Sequence, residues 1–226
     1  MLQLAIDAAD EKPGIALAVE GVAGMTATWA TQRNHSVELL PNIDRLLTEA
    51  GRTKHDVGAV FVDLGPGGYA ALRVGVSVAK ALAHGLGVPI AGVGRLELDA
   101  YGVAGEAGGW RIVAVHRAGR GEAAWAAYRD GPDGWHEELA PRIGKPAELH
   151  AAIANGDVVT GDLDDELAVA LAQAGASAAS AHAHRVVALA ALGHRRLAAG
   201  RADDPTALVP LYLRAPAIGP QSSART

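Results

Sequence analysis

The chain has 226 residues, half of them hydrophobic and only 4% aromatic, and its formal net charge is −5. This length suits one large domain or two small lobes with a core of Ala, Val and Leu. The negative charge argues against nucleic-acid binding by bulk electrostatics, and the absence of cysteine excludes disulfides and thiolate metal sites.

The N-terminal segment, MLQLAIDAADEKPG, does not resemble a signal peptide, because no basic region precedes an apolar stretch and Asp7 interrupts it early. No apolar run approaches the roughly 18 residues needed to span a bilayer. We therefore expect a cytoplasmic protein that makes no membrane contact, in keeping with its lack of cysteine.

The first half of the chain is predicted to alternate strands and helices. Three strand candidates come first, separated by turns with Gly or Pro: LQLAID, GIALAVE and GMTATWAT. A helix is predicted from Ser36 to Ala50, with Ser36 as its N-cap. The buried strand VGAVFVDLG then leads into a second helix from Tyr69 to Leu86, and PIAGVG and RLELDAYGVA add a strand and a third helix.

The second half repeats this order. Its strand candidates are WRIVAVHRA, EAAWAAYRDG, WHEELAPR and DVVTGD, and its helix candidates are PAELHAAIAN, DDELAVALAQAG and HAHRVVALAALGHRRLAAG. Two successive βββαβα units predict an α/β protein with the two-lobed plan of the actin, hexokinase and ribonuclease H-like (ASKHA) folds. The glycine-rich segment 102–109 suggests lobes at 1–104 and 105–214, and the small, polar segment 215–226 is predicted to be disordered.

The stretch DLGPGGYAALRVG, from Asp63 to Gly75, raises the question of a phosphate site, because a glycine turn after a strand opens a helix. It has neither the Gly-Lys-Ser/Thr ending of a P-loop nor the GxGxxG spacing of dinucleotide folds. We therefore interpret Gly65, Pro66 and Gly67 as a sharp turn that lets the helix pack closely on the sheet.

Asp7 ends the first strand, where sugar kinases and actin-like ATPases keep an acid for the metal–nucleotide complex. The residues that follow, Ala8-Ala9-Asp10, provide neither a hydroxyl nor a glycine for phosphate contact. A turn-capping role is favoured, and Asp7 and the GPG loop are interpreted as a vestigial nucleotide loop. A metal-dependent nucleotide or sugar kinase on the same fold remains the alternative.

The first two helices are apolar over most of their circumference, with one narrow polar stripe each. The stripes are Glu38, Asn42, Arg45 and Glu49 in the first helix, and Arg73, Ser77, Lys80 and His84 in the second. Either both helices are buried within the monomer, or each contacts the sheet on one side and a protein partner on the other.

Metal and catalytic motifs are absent from the sequence. Nine histidines form no HExxH or HxxxH pair, and no GxSxG occurs. Asp7, Asp63 and Asp99 could in principle serve a two-metal nuclease, but their spacing does not single them out. We predict no catalytic residue, no metal and no cofactor.

Five segments, in the same order over nearly the whole chain, resemble the TsaB (YeaZ) family: LAID, RNHSVELLPNIDRLL, GPGGYAALRVG with AKALAHGLGVPIAGVGRLE, GEAAWAAY and PLYLR. The resemblance implies the non-catalytic partner of the enzyme TsaD, which makes N6-threonylcarbamoyladenosine beside the anticodon of tRNA. It also implies that an ATPase, TsaE, joins the complex, and that the first-lobe helices bind TsaD or a second copy of the chain. Contact with tRNA is expected to be indirect or weak.

The resemblance also implies which residues differ from those of catalytic relatives and which would contact a partner. Arg95 and Asp99 stand where TsaD-like relatives carry a histidine pair, which argues against the older peptidase description of the family. The usual hydroxyl after Asp7 is replaced by Ala8, and His116 stands where an aspartate is common. The residues predicted for the partner surface are Leu39, Leu40, Ile43, Leu47, Leu72, Arg73, Val76 and Lys80.

Overall fold

The computed structural model describes residues 1–31, 34–181 and 184–213, in which ten strands form two five-stranded sheets. The first sheet has the spatial order β3-β2-β1-β4-β5 and contains β1 (Leu2–Asp7), β2 (Gly14–Val19), β3 (Val22–Thr28), β4 (Val57–Asp63) and β5 (Ile90–Val93). β1 pairs antiparallel with β2 and parallel with β4.

The second sheet repeats this arrangement. It contains β6 (Ile112–Gly119), β7 (Glu122–Gly131), β8 (Gly134–Gly144), β9 (Val158–Gly161) and β10 (Ser177–Ala178), in the order β10-β9-β6-β7-β8. β6 is antiparallel to β7 and parallel to β9, as β1 is to β2 and β4. The predicted duplication is therefore confirmed, although the two-residue strand β10 was not predicted.

Seven α-helices in the described ranges connect and cover these sheets: α1 (His35–Glu49), α2 (Tyr69–Leu86), α3 (Arg95–Gly102), α4 (Ala104–Ala107), α5 (Pro146–Ala152), α6 (Asp165–Ala174) and α7 (Arg185–Ala198). A short 3-10 helix, Lys54–Asp56, precedes β4. The prediction that Ser36 caps α1 is wrong: Asn34 holds the N-cap position, and the helix begins at His35. Among the described residues, the structure has no helix with the length and hydropathy to span a membrane. The predicted disordered tail, 215–226, lies outside the described residues.

The first sheet is covered on both faces, because alternate residues of a strand point to opposite sides. On β1, Leu4 and Ile6 pack with α1 and α2, whereas Ala5 packs with α7. Small residues on the α7 side allow a close approach, and Gly193 of α7 lies directly against the ring of Phe61.

The two halves of the chain exchange helices. α3, from the first half, packs on β6, β7 and β9 of the second sheet, whereas α7, from the second half, packs on all five strands of the first. In terms of the expected lobes 1–104 and 105–214, each of these helices contacts the sheet of the other half. A sequence pattern shows that a helix is amphipathic, but it does not show which sheet the helix covers.

Candidate functional site

Asp7 and Asp63 lie at the carboxyl ends of the parallel strands β1 and β4, and both side chains are buried. Asp7 Oδ1 accepts a hydrogen bond from the Ala9 N–H (3.0 Å), and Asp63 Oδ1 accepts one from the Gly65 N–H (2.7 Å). Burial and the nearby charge of Asp7 raise the pKa of Asp63 well above its ordinary value. Its environment therefore favours the protonated form of Asp63.

We expect Asp63→Asn to stabilise the protein above neutral pH. A carboxyl with a raised pKa makes the folded state bind more protons than the unfolded state. The free energy of unfolding therefore falls as pH rises from the pKa of the unfolded state to that of the folded state. The Asn side chain would keep an acceptor for the Gly65 N–H, and because an amide does not titrate in this range, its contribution to stability would not change with pH. Thermal melts at pH 5 and pH 8 should show a gain of a few degrees at pH 8 and a smaller gain at pH 5, which is nearer the pKa of an unfolded aspartate.

The matched control for this prediction is Asp56→Asn. Hydrogen bonds from the Thr53 N–H and hydroxyl lower the pKa of Asp56, so its charged form stabilises the fold and its replacement should have the opposite sign. A lower melting temperature for Asp63→Asn at pH 8 would contradict the assignment of the proton.

Arg185, at the start of α7, binds the acids of this cluster. Its Nε donates to Asp7 Oδ2 (3.2 Å), its Nη2 donates to Asp10 Oδ2, and its Nη1 lies 3.6 Å from Asp99 Oδ1. Burial opposes the charge of Arg185, but the carboxylates of Asp7, Asp99 and Asp10 outweigh it and raise its pKa. The cluster therefore contains a permanent cation that belongs to the chain.

The donor set does not fit a metal–nucleotide complex, which Asp7 would hold in a kinase of this fold. Asp7 Oδ2 is already paired with Arg185, and a metal–nucleotide complex would have to displace that guanidinium. Arg95 Nε lies 3.4 Å from Asp99 Oδ2, so the two positions to which the sequence resemblance assigns a histidine pair in catalytic relatives form an ion pair here. In the described ranges, no three His, Asp or Glu side chains are arranged to hold a metal ion.

The GPG loop packs against the turn that follows β1. Gly65 has a positive φ of 89°, a Cβ at Gly67 would overlap the Ala9 carbonyl oxygen, and Gly68 donates to that same oxygen (2.8 Å). Further along, a Cβ at Gly75 of α2 would lie 2.9 Å from Ala8 Cβ. The loop thus serves close packing between α2 and β1, as the sequence indicated.

The second sheet places a different pair at the equivalent positions. The last parallel pairs are Ile6 with Val62 in the first sheet and Val115 with Gly161 in the second, so His116 corresponds to Asp7 and Asp162 to Asp63. His116 Nδ1 lies 2.8 Å from Asp162 Oδ2, and this hydrogen bond lowers the pKa of Asp162. His116 also lines a cleft of about 430 Å³ beside the GPG loop, with His35 and Arg95.

Sequence reasoning had named Asp7, Asp63 and Asp99, and the structure brings them together. It missed Arg185 and Asp10, which complete the cluster. Arg185 lies 178 residues from Asp7 along the chain, so spacing could not reveal the contact. The available signal was a single arginine at the start of the apolar run VVALAAL.

The predicted partner surface needs correction. Five of its eight residues are buried in the core between the first sheet and its covering helices: Leu39, Ile43, Leu47, Leu72 and Val76. They are therefore not accessible to a partner in this structure, because the sheet and the neighbouring helix together cover a wide apolar arc. Lys80 Nζ is also engaged, since it donates to the carbonyl of Leu208 (2.9 Å).

The remaining predicted residues, Leu40 and Arg73, are exposed on the outer faces of α1 and α2, which pack side by side. Leu40 is 49% exposed and Val37, one turn earlier, is 67% exposed. We define the α1–α2 surface as the exposed residues Val37, Leu40, Pro41, Arg73, Ser77 and Ala81. The sequence had not singled out Val37 as a surface residue.

Two sheets of matching strand order, with the acid cluster and the His116–Asp162 pair at equivalent strand ends and with helices exchanged between halves, define a two-lobed α/β protein of the ASKHA class. The solved structure of YeaZ from Pseudomonas aeruginosa has this fold: it superposes with a TM-score of 0.78 at 24% identity, covering 93% of this chain and 100% of that one.

Sequence comparison identifies the family. Residues 29–216 match the family model described as TsaD: tRNA N6-adenosine threonylcarbamoyltransferase. Among curated relatives, the tRNA threonylcarbamoyladenosine biosynthesis protein TsaB of Escherichia coli is 33% identical over 65% of this chain and 64% of its own length. An uncharacterised protein of Mycobacterium tuberculosis H37Rv is 35% identical over 83% of this chain and 79% of its own. The chain belongs to the family of this model, and it is similar in sequence to TsaB of E. coli and in fold to YeaZ of P. aeruginosa.

The match to E. coli TsaB spans slightly less than two thirds of that protein. The region that the family model matches contains all of α1 and α2, the two helices that carry the α1–α2 surface.

Proposed function

We propose that this protein is the non-catalytic partner of a TsaD-type enzyme in the N6-threonylcarbamoylation of tRNA adenosine next to the anticodon. The observation that carries the proposal is the ion pair between Arg95 and Asp99, at the positions to which the sequence resemblance assigns the histidine pair of a catalytic relative. The ion pair between Arg185 and Asp7 supports the same conclusion, because it occupies the acid that would hold a metal–nucleotide complex in a kinase of this fold. The names of the curated relatives support the pathway.

The α1–α2 surface is the proposed docking site for the TsaD-type subunit. It combines exposed apolar side chains, Val37 and Leu40, with the polar residues Arg73 and Ser77. Tyr69 extends it at the start of α2, where its ring lies 5.2 Å from that of Tyr212. The same surface is proposed to pair two copies of the chain when the enzyme is absent, and a TsaE-type ATPase would join through the complex.

Leu40→Glu should weaken co-purification with a TsaD-type subunit by about tenfold or more, because it buries an unpaired charge in the interface. Leu40 is half exposed in the free chain, so the variant should fold. Val76→Glu is not a useful test, since Val76 is buried and the variant would unfold. Tagged co-expression and circular dichroism measure the two effects.

The matched control is Val169→Glu, the same kind of change at an exposed position of α6 in the second lobe. It should leave the complex intact. A complex that survives Leu40→Glu and Val37→Glu together would refute the docking site, and threonylcarbamoylation by the isolated chain would refute the non-catalytic role.

A further inference from the structure

A second cavity, of about 440 Å³, lies between α3, α7 and the hairpin of β7 and β8. It is separate from the acid cluster and from the α1–α2 surface, and the proposed function does not use it. Its size is within the range of small-molecule sites in proteins.

One wall of this cavity is aromatic. The Trp135 ring stacks on Tyr128, with 5.6 Å between centroids and an interplanar angle of 5°, and it meets Tyr101 edge-on at 5.1 Å. Trp135 Nε1 donates to Glu97 Oε1 (3.3 Å), which fixes the indole in the wall. Burial raises the pKa of Tyr128, so its phenol stays neutral. The result is a rigid, uncharged platform.

Three arginines line the same cavity, and they differ in their partners. Arg196 donates to Glu97 Oε2 and to the Gly92 carbonyl, so its charge is compensated. Arg195 lies with its guanidinium 5.5 Å from the centroid of the Tyr101 ring. Within residues 1–31, 34–181 and 184–213, neither Arg195 nor Arg201 forms an ion pair. Two exposed guanidinium groups thus face the cavity, with Glu137 as the remaining charged carboxylate on its rim.

Guanidinium groups bind phosphate through paired N–H donors, and aromatic faces accept nucleobases by stacking. A nucleoside phosphate contains both elements at a separation that a pocket of this size can hold. We propose that this pocket binds a nucleoside phosphate, free or as one unit of an RNA strand, with its phosphate on Arg195 and Arg201 and its base against Trp135. Such a local site is compatible with the net negative charge of the chain, because it depends on two neighbouring cations.

The test is titration calorimetry of the full isolated chain at low salt, with inorganic phosphate, AMP, UMP and a five-nucleotide RNA as probes. We expect saturable one-to-one binding of AMP, UMP or the RNA, and weaker binding of inorganic phosphate. The double variant Arg195→Gln/Arg201→Gln should bind at least about tenfold more weakly, because each lost charge-assisted contact removes a strong hydrogen bond. Both residues are exposed, so the variant should fold.

The control is Arg142→Gln, which removes an exposed arginine of β8 that does not line the pocket, and it should bind like the wild type. If the RNA binds at least about tenfold more tightly than AMP and UMP do, the ligand is an RNA strand. If the RNA and the two mononucleotides bind with equal affinity, the ligand is a free nucleotide. No saturable binding of any probe, inorganic phosphate binding as tightly as AMP, or an unaffected double variant would each overturn the proposal. None of these results depends on the TsaD-type partner.

Discussion

Arg185→Ala should lower the free energy of unfolding by about 3 kcal/mol, the largest single effect that we expect in the acid cluster. The guanidinium is the shared partner of Asp7, Asp10 and Asp99. Its removal leaves the fully buried Asp7 without a guanidinium, whereas Asp10 and Asp99 keep Arg95. Breaking a buried ion pair from one side costs this much because the remaining charge stays desolvated. Urea or thermal unfolding measures the loss.

The pH dependence of this loss gives a sharper test. Burial opposes the charge of Asp10, but the guanidinium of Arg185 lowers its pKa, so Asp10 becomes easier to protonate in the variant. A folded state with raised carboxyl pKa values binds extra protons, and its stability therefore falls as pH rises. The gap between wild type and Arg185→Ala should be largest near pH 8 and shrink toward pH 5.

The control for the loss of an arginine is Arg45→Ala on α1. Arg45 pairs with Glu49 at 3.4 Å, but both side chains are about half exposed, and such surface pairs contribute about 1 kcal/mol at most. Equal destabilisation by the two variants, or a pH-independent loss in Arg185→Ala, would argue that Arg185 contributes by packing alone.

Gly193→Ala should destabilise the protein by roughly 2 kcal/mol, although alanine is normally the better helix former. A Cβ at this position of α7 would overlap the ring of Phe61, which is completely buried on β4 and has no space to move. α7 would therefore have to shift away from the first sheet. Thermal unfolding measures the loss.

Gly85→Ala is the matched control, because Gly85 also lies in a helix, α2, and a Cβ there would meet no neighbouring atom within 4 Å. This change should stabilise the protein by about 0.5–1 kcal/mol, as expected for glycine to alanine in a helix. Opposite signs for the two variants would attribute the effect at Gly193 to the Phe61 contact, and equal signs would contradict it.

The order of strands and helices could be predicted from the sequence because it depends on the local spacing of apolar residues. Runs such as LQLAID and VGAVFVDLG are short, apolar and bounded by turn residues, and the second half repeats them. The packing partners of α3 and α7 could not be predicted in this way. Both helices are amphipathic, and nothing in that pattern distinguishes the sheet of their own half from the other.

The packing role of the GPG loop could be predicted from the sequence, whereas the contacts of the acid cluster could not. The missing lysine and hydroxyls around Asp7 and the GPG loop argued against phosphate binding, and the structure shows that loop packed on Ala9. Arg185 and Asp7 lie 178 residues apart, so their contact produces no pattern within any short stretch of the sequence. Likewise, the wide apolar arc of α1 was compatible with a partner, but Leu39 and Ile43 turn out to be covered by the first lobe itself.

The exchange of α3 and α7 has a consequence for synthesis of the protein on the ribosome. The first sheet consists of strands within residues 2–93, yet one of its faces is covered by residues 185–198, which are translated only after the whole second sheet. Until then Ala5, Ala16 and Phe61 lack their cover, and the nascent chain exposes an apolar surface of the kind that chaperones protect. Neither half can complete its fold alone, so the two repeated units are inseparable as a folding unit.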